Sequence, residues 1–403
     1  MYICSENTLW KAIAPPPRSY PILEEDLECD VLVIGGGMCG ALVASLLMEQ
    51  QVDTVLVDKR GIAEGSTAAN IGLLQFSNDK SLSACMRTFG EERGLRFYRR
   101  CAEALDELER LAAGLADRAD FVRRPSLYFA SEANHLPALR EEYETLKQHG
   151  FAVDIWDQDR ITEHYAFSKP GAIYYHDDAE LDPYRFVHGL LDAARDRGLR
   201  IYTHTEVFGQ AEDRDALVFH TGRHRIRAKY AVCAAGCEAQ QIKRTPNAEV
   251  TSTFAIATPS LPAEAFKGWH ARSLIWETAR PYLYLRTTAD NRILVGGLDD
   301  SFTLRSECER MLPRKRELLL EAMRRLFPAL GEVTAEYAWC GALGSSHDGM
   351  PMIGRQAGFP GRCYFMLGYG GNGTVYGMIG AKLIADWIVE GQSPDADLFR
   401  FDR

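Results

Sequence analysis

The chain has 403 residues, 46% of them hydrophobic, and a formal net charge of −10. That length points to two domains, and the acidic balance argues against nucleic-acid binding or a basic membrane-docking face. No run of about eighteen apolar residues offers a membrane span, and the ten cysteines lack a C-x-x-C pair, which indicates neither a zinc ribbon nor a disulfide scaffold. Most cysteines therefore read as small buried residues in a reducing cytoplasm. Residues 1–29 lack the apolar core of a signal peptide and read as a surface arm, with Pro15 to Pro17 as a stiff turn.

From Asp30 to Arg60 the elements follow the order of a dinucleotide site. Val31 to Ile34 is a short apolar run of buried-strand type. Gly35, Gly37 and Gly40 follow in the spacing G-x-G-x-x-G, and Ala41 to Gln50 is a stretch of good helix formers. In such a site the first glycine allows a tight turn and the second lets the backbone approach a pyrophosphate. The third lets the helix lie close to the sheet. Amides at the helix start, at Met38 and Cys39, then face the phosphates, aided by the helix dipole. A second strand, Thr54 to Val57, ends in Asp58, placed to accept hydrogen bonds from a ribose, with Lys59 beside it.

The next segment is not the ordinary crossover helix of a nicotinamide enzyme. It is a loop of small residues with Gly65, Ser66, Thr67, Ala69, Asn70 and Gly72, suited to close contact with a flat ring or a pyrophosphate. Together with the fingerprint it resembles the FAD-dependent oxidoreductases of the D-amino-acid oxidase, glycine oxidase and sarcosine oxidase superfamily. The resemblance implies non-covalent FAD, with this loop running past the ribityl chain and beside the isoalloxazine. It also implies an α/β fold (α+β overall), a Rossmann-like FAD-binding domain interleaved with an antiparallel-sheet substrate domain. The expected division is an arm over 1–29 and FAD-binding parts over 30–80, 165–250 and 336–403. A helical substrate part covers 81–164 and a substrate sheet covers 251–335.

Residues 81–150 carry apolar positions at helical spacing, with a strand from Ser126 to Ala130 and a helix from Leu136 to His149, and no evident chemistry. Asp182-Pro183 reads as a helix start, and Leu199 to Val207 as a strand; the resemblance puts Val207 against the adenosine. A hairpin follows, and then a buried strand ending in Ala234, Ala235 and Gly236, which resembles the family's A-x-G turn at the cofactor. Cys233 and Cys237 read as core and helix-start residues rather than a redox pair.

Strands recur from Thr251 to Gly297. In ARPYLYLRTT, alternation places Tyr282, Tyr284 and Arg286 on one face. That face is either a wall for an anionic or polar substrate or an outer, solvated surface; Trp276 and Glu277 are secondary candidates. After an amphipathic helix from Met311 to Phe327 and a strand from Glu332 to Gly341, Trp339 to Gly354 resembles the family's W-x-G…D-G-x-P-x-I-G signature. Finally Gly370, Gly371, Asn372, Gly373 and Thr374 lead into a helix whose start, by the resemblance, aims amides at the flavin and stabilises the charge of the reduced ring.

Three positions depart from or extend the family pattern. Leu343 stands where glycine oxidase-like members carry the arginine that clamps a substrate carboxylate; Arg280 or Arg286 are the available substitutes. Cys340 lies near the cysteine that attaches flavin in some members and reads as a buried thiol or an attachment point. Lys80 reads as a surface lysine or as a charge favouring reaction with O2. The leading reading is oxidation of a C–N bond in a small amine or N-substituted amino acid, by hydride transfer to flavin N5. Electrons then pass to O2 or another acceptor. Two others stay open. A dehydrogenase of a 2-hydroxy acid or polyol phosphate needs a base such as His347 or His176 near the ring. A non-catalytic FAD-binding protein fits the cofactor motifs equally well.

Overall fold

The computed structural model describes residues 4–213, 215–301 and 305–403, and the expected mixed α/β character takes the form of two sheets. The first is built on Leu27–Ile34, which pairs in parallel with Thr54–Val57 on one side and His224–Cys233 on the other. Arg200–Tyr202 and Cys363–Leu367 extend it in parallel, and Met352–Arg355 closes one edge antiparallel. Such strands are buried on both faces, which explains their continuous apolar runs. Val31 and Val33 pack with Leu42 and Ile379 of two helices, Met38–Glu49 and Gly373–Val389. Leu32, on the opposite face, packs with Leu217 and Phe219 of Ala216–Thr221, which pairs antiparallel with the start of His224–Cys233 and with Phe208–Asp213. Both helices are buried nearly all round, as expected of core helices.

Among the described residues, the second sheet has nine strands. Its central run, Tyr337–Ser346, Ala248–Ala257, Ile293–Ser301 and Leu283–Thr287, is antiparallel. Leu274–Glu277 and Val122–Phe129 continue it as the one parallel pair, followed by Gly171–Glu180. Leu73–Leu74 and Val153–Asp157 also pair with Gly171–Glu180. One face packs Phe254, Leu285 and Val295 against Leu319 and Met323 of the helix Arg305–Leu326. The other face looks toward the first sheet.

Several local expectations change in three dimensions. The arm carries a short helix, Leu9–Ile13, whose Leu9 and Trp10 are buried. The strand expected to reach Val207 ends at Tyr202. There Thr205 accepts from the Leu23 N–H and donates to the Thr203 carbonyl, and such side-chain bonds compete with a sheet ladder. The strand expected over Glu332 to Gly341 begins at Tyr337 and runs on to Ser346, because its partner Ala248–Ala257 pairs along that whole length.

Candidate functional site

Between the sheets lies a cavity of about 440 Å³. Every residue expected at the cofactor lines it except Gly40 and Gly72. Gly40 acts one layer behind: a Cβ there would sit 1.8 Å from the Gly35 carbonyl oxygen, so only glycine lets the helix lie this close to the turn. Gly72 has φ +78°, and its Cβ would lie 2.1 Å from the Leu181 carbonyl oxygen. It is required by chain packing, not by the cavity. Gly37 differs from both, since its Cβ would meet only Thr67 Oγ1, at 3.2 Å. Space is kept there for something other than protein.

At the fingerprint end, Asp58 accepts from the backbone N–H groups of Gly36 and Arg60, each at 2.7 Å. Burial pushes its carboxyl above the usual range against the pull of those bonds. Lys59 and Arg60 converge on Glu238, at 3.0 and 2.6 Å. Burial would raise the Glu238 carboxyl, but the hydrogen bonds from Arg60 and Lys59 bring it below its ordinary value.

The small-residue loop includes a single helical turn, Ser66–Ala69, and neighbours hold it at several points. Thr67 Oγ1 accepts from the Met38 N–H at 3.0 Å, and Ser66 Oγ donates to the Ala342 carbonyl at 3.1 Å. The Trp339 indole donates to the Ala69 carbonyl at 2.9 Å, and the Trp10 indole to the Asn70 carbonyl at 2.6 Å. The tryptophan of the W-x-G signature thus fixes the loop instead of facing the cavity. The aspartate of that signature, Asp348, accepts from Met350 N–H and pairs with Arg403, which closes a turn. In the final glycine segment, the Asn372 side chain donates to the Gln75 carbonyl at 2.7 Å and to Asn78 Oδ1 at 3.0 Å.

Of the four residues expected at the reacting end, two line the cavity. Tyr282 and Tyr284 do so, with ring centroids 5.5 Å apart. The Tyr282 hydroxyl comes within 2.8 Å of where a Gly371 Cβ would stand, so the residue that leads into the strand Leu283–Thr287 abuts the C-terminal glycine turn at the cavity wall. Arg286 shares their strand face but not their surroundings. It is 2% exposed, donates to the carbonyls of Ile71 and Leu181, and faces Glu180 Oε2 at 3.4 Å. It does not line the cavity. His347 is exposed on its turn, and its own N–H bonds to the Asn247 carbonyl; it does not line the cavity.

The secondary candidates divide similarly. Trp276 lines the cavity, 4% exposed and stacked on Tyr128 at 3.8 Å, whereas Glu277 accepts from Ser131 outside it. Arg280 is exposed, donates to the carbonyls of Glu277 and Ala279, and covers Tyr282 from outside. Neither arginine replaces the clamp, and Leu343 lines the cavity at that position. Lys80 donates to the Asp348 carbonyl at 3.1 Å, away from the lining. His176 is exposed and pairs with Asp154 at 3.2 Å. Cys340 is buried in the second-sheet core near Phe254 and outside the lining. Burial pushes its thiol up to about 12. All ten cysteines are free thiols, Cys233 and Cys237 included.

Residues that the sequence reading did not single out also line the cavity. Asp79 and Asp299 are the main ones, with Thr253, Gln75 and Asn78. Asp79 Oδ2 lies 3.2 Å from the same virtual Gly371 Cβ, and Thr253 Oγ1 is 3.3 Å from the Tyr284 hydroxyl. Burial raises the Asp299 carboxyl against the pull of a hydrogen bond from Thr253, and the charge of Asp79 adds to the rise. In the sequence, SNDKS and GLDDS look like ordinary loop and strand-end polarity, so nothing local marks these aspartates.

The family model described as FAD dependent oxidoreductase matches residues 30–387. The gamma-glutamylputrescine oxidoreductase of Escherichia coli (strain K12) is 26% identical over 98% of this chain and 91% of its own. The glycine oxidase of Bacillus subtilis (strain 168) is 22% identical over 93% and 97%. Among solved structures, glycine oxidase from Geobacillus kaustophilus superposes with a TM-score of 0.75 at 20% identity, covering 94% of this chain and 99% of that one. L-amino acid deaminase from Proteus vulgaris gives 0.77 at 15%, covering 96% and 99%. At these identities the structural likeness is one of fold.

Proposed function

Since the chain belongs to the DAO family of FAD-dependent oxidoreductases, we propose that it oxidises a C–N bond in a small amine or N-substituted amino acid, passing electrons to O2 or another acceptor. The cavity suits FAD on its own geometry: Gly37 keeps a space that a side chain would fill, and Asp58 ends the second strand at its wall. Gly35, Gly37 and the Met38 and Cys39 backbone would hold the pyrophosphate, Asp58 the ribose, Val207 the adenosine, and the Gly65–Asn70 loop with Gly370–Thr374 the ring. When bound, FAD supplies the two-electron acceptor.

One observation carries the reading of the reacting end. The Tyr282 hydroxyl sits against the Gly371 turn at the cavity wall, so the aromatic residues close over the segment assigned to the flavin. Tyr282, Tyr284 and Trp276 would orient the substrate and exclude water from its reacting carbon. Burial raises the Tyr282 and Tyr284 hydroxyls far above their ordinary range, so both stay protonated and act as hydrogen-bond donors, not bases. An amine that binds with its reacting nitrogen neutral needs no strong base. Oxidation of an alcohol does need one; His347 and His176 both face outward, so that role would fall to Asp79 or Asp299 on the cavity wall.

The test is anaerobic titration of the yellow holoprotein with amines, N-methyl amino acids and hydroxy acids. Bleaching of the flavin band by an amine is the expected result. Bleaching by hydroxy acids alone would transfer the protein to alcohol oxidation.

A further inference from the structure

Resting on the amine-oxidising reading above, we infer that the substrate carries a second positive charge, held by Asp79 and Asp299, and so is a diamine or polyamine instead of a simple α-amino acid. The two carboxylates stand at the substrate end of the cavity. Asp79 Oδ2 and the Tyr282 hydroxyl both approach the Gly371 turn, and Asp299 lines the wall beside Tyr284 and Thr253. Among the described residues lining the cavity, the only cationic side chains are Lys59 and Arg60, and both are engaged by Glu238 at the fingerprint end.

The nearby cations outside the lining are also committed. Lys315 donates to the Leu298 carbonyl and pairs with Asp300, and Arg280 bonds the Glu277 and Ala279 carbonyls. Asp299 is half-buried, with the Thr253 hydroxyl as its neighbouring donor, and its Oδ1 takes no further hydrogen bond from the described residues. A carboxylate oxygen left so is costly unless a donor arrives, and an ammonium group offers three donors and no acceptor. The aromatic walls of Tyr282, Tyr284 and Trp276 add faces that attract a cation. A carboxylate-bearing substrate meets the opposite conditions, with two like charges and Leu343 in place of a clamp.

The test uses the holoenzyme with 1,4-diaminobutane, n-butylamine and sarcosine, measuring anaerobic flavin bleaching and steady-state kcat/KM. The diamine is expected to exceed the monoamine by at least about tenfold, the effect of one charge-assisted hydrogen bond. Sarcosine should be poorer still. Asp299→Asn should shrink the diamine-to-monoamine ratio by about tenfold and Asp79→Asn, at an exposed carboxylate, by about twofold to fivefold, mainly through KM, with FAD content checked by the visible spectrum. Asp299→Glu should recover part of the ratio. A wild-type enzyme that prefers butylamine or sarcosine overturns the assignment even if the variants fail to fold, and so does an unchanged ratio in both Asn variants. Bleaching by butylamine or sarcosine without a diamine advantage removes only the charge assignment. No bleaching by any of the three removes the amine reading itself.

Discussion

A Cβ at Gly37 would touch only Thr67 Oγ1, at 3.2 Å, so a side chain there meets little protein beyond a small shift of that hydroxyl. Gly37→Val should therefore fold but lose the yellow colour, because its branches would enter the proposed pyrophosphate path; a variant with normal FAD content would contradict that path. Tyr282→Phe removes a hydroxyl that faces the Gly371 turn, and kcat/KM should fall about tenfold while FAD stays bound. Arg286 behaves differently. Its removal in Arg286→Leu leaves the buried Glu180 paired with Arg124 alone among the ion pairs of the described residues and frees the carbonyls of Ile71, Leu181 and Thr287. The expected cost is about 3 kcal/mol of stability, read by urea unfolding, with turnover per bound flavin close to that of the parent. A loss of turnover without destabilisation would return Arg286 to the active site.

At the scale of elements, the loop Gly65–Gly72 owes its position to parts of the chain far from it. The indoles of Trp10 and Trp339 grip its carbonyls, and Ser66 reaches the strand Tyr337–Ser346. Trp339→Phe keeps the buried ring mass but drops the bond to Ala69, and should weaken FAD retention about fivefold to tenfold, measured by fluorescence of released flavin. An unchanged dissociation constant would show that the other anchors suffice. The same strand carries Cys340 into the core and leaves Gly341 and Leu343 on the cavity wall. Acid precipitation should accordingly leave the yellow in the supernatant.

For the whole molecule, the second sheet carries a buried acid whose titration reaches overall stability. Asp178 accepts from the Phe76 N–H at 2.9 Å and from the Ser126 hydroxyl, and burial pushes its carboxyl up to about 7. In the unfolded chain an aspartate titrates near about 3.9. Between these values the folded state binds a proton that the unfolded state does not. The Asp178 contribution to stability is thus fully present below about pH 4 and is lost as pH rises to about 7. Asp178→Asn should flatten that part of the pH profile of the melting temperature; an unaltered slope would mean that other groups produce it.

How much of this was legible follows from how each part is built. Residues 30–60 form the fingerprint within one short stretch, so glycine spacing, strand pattern and the terminal Asp58 could be read directly. The alternation of Tyr282, Tyr284 and Arg286 is also a local property; the strand Leu283–Thr287 carries the last two, and Tyr282 lies just before it. It could not reveal that the strand carries Arg286 past the cavity edge to Glu180 and Leu181. His347 and Lys80 lie close in sequence to signature residues, yet the turn around Asp348 directs one outward and engages the other.

By itself, then, the sequence determined the family, the cofactor motifs and the alternating faces of the strands, because each depends on contacts between residues a few positions apart. Tertiary structure decided which polar groups share the cavity. Asp79 and Asp299 come from a loop and a strand that meet only when the two sheets pack. A carboxylate on an exposed surface and one on a cavity wall are the same letter; only the neighbours brought in by folding set its charge, its partners and its use.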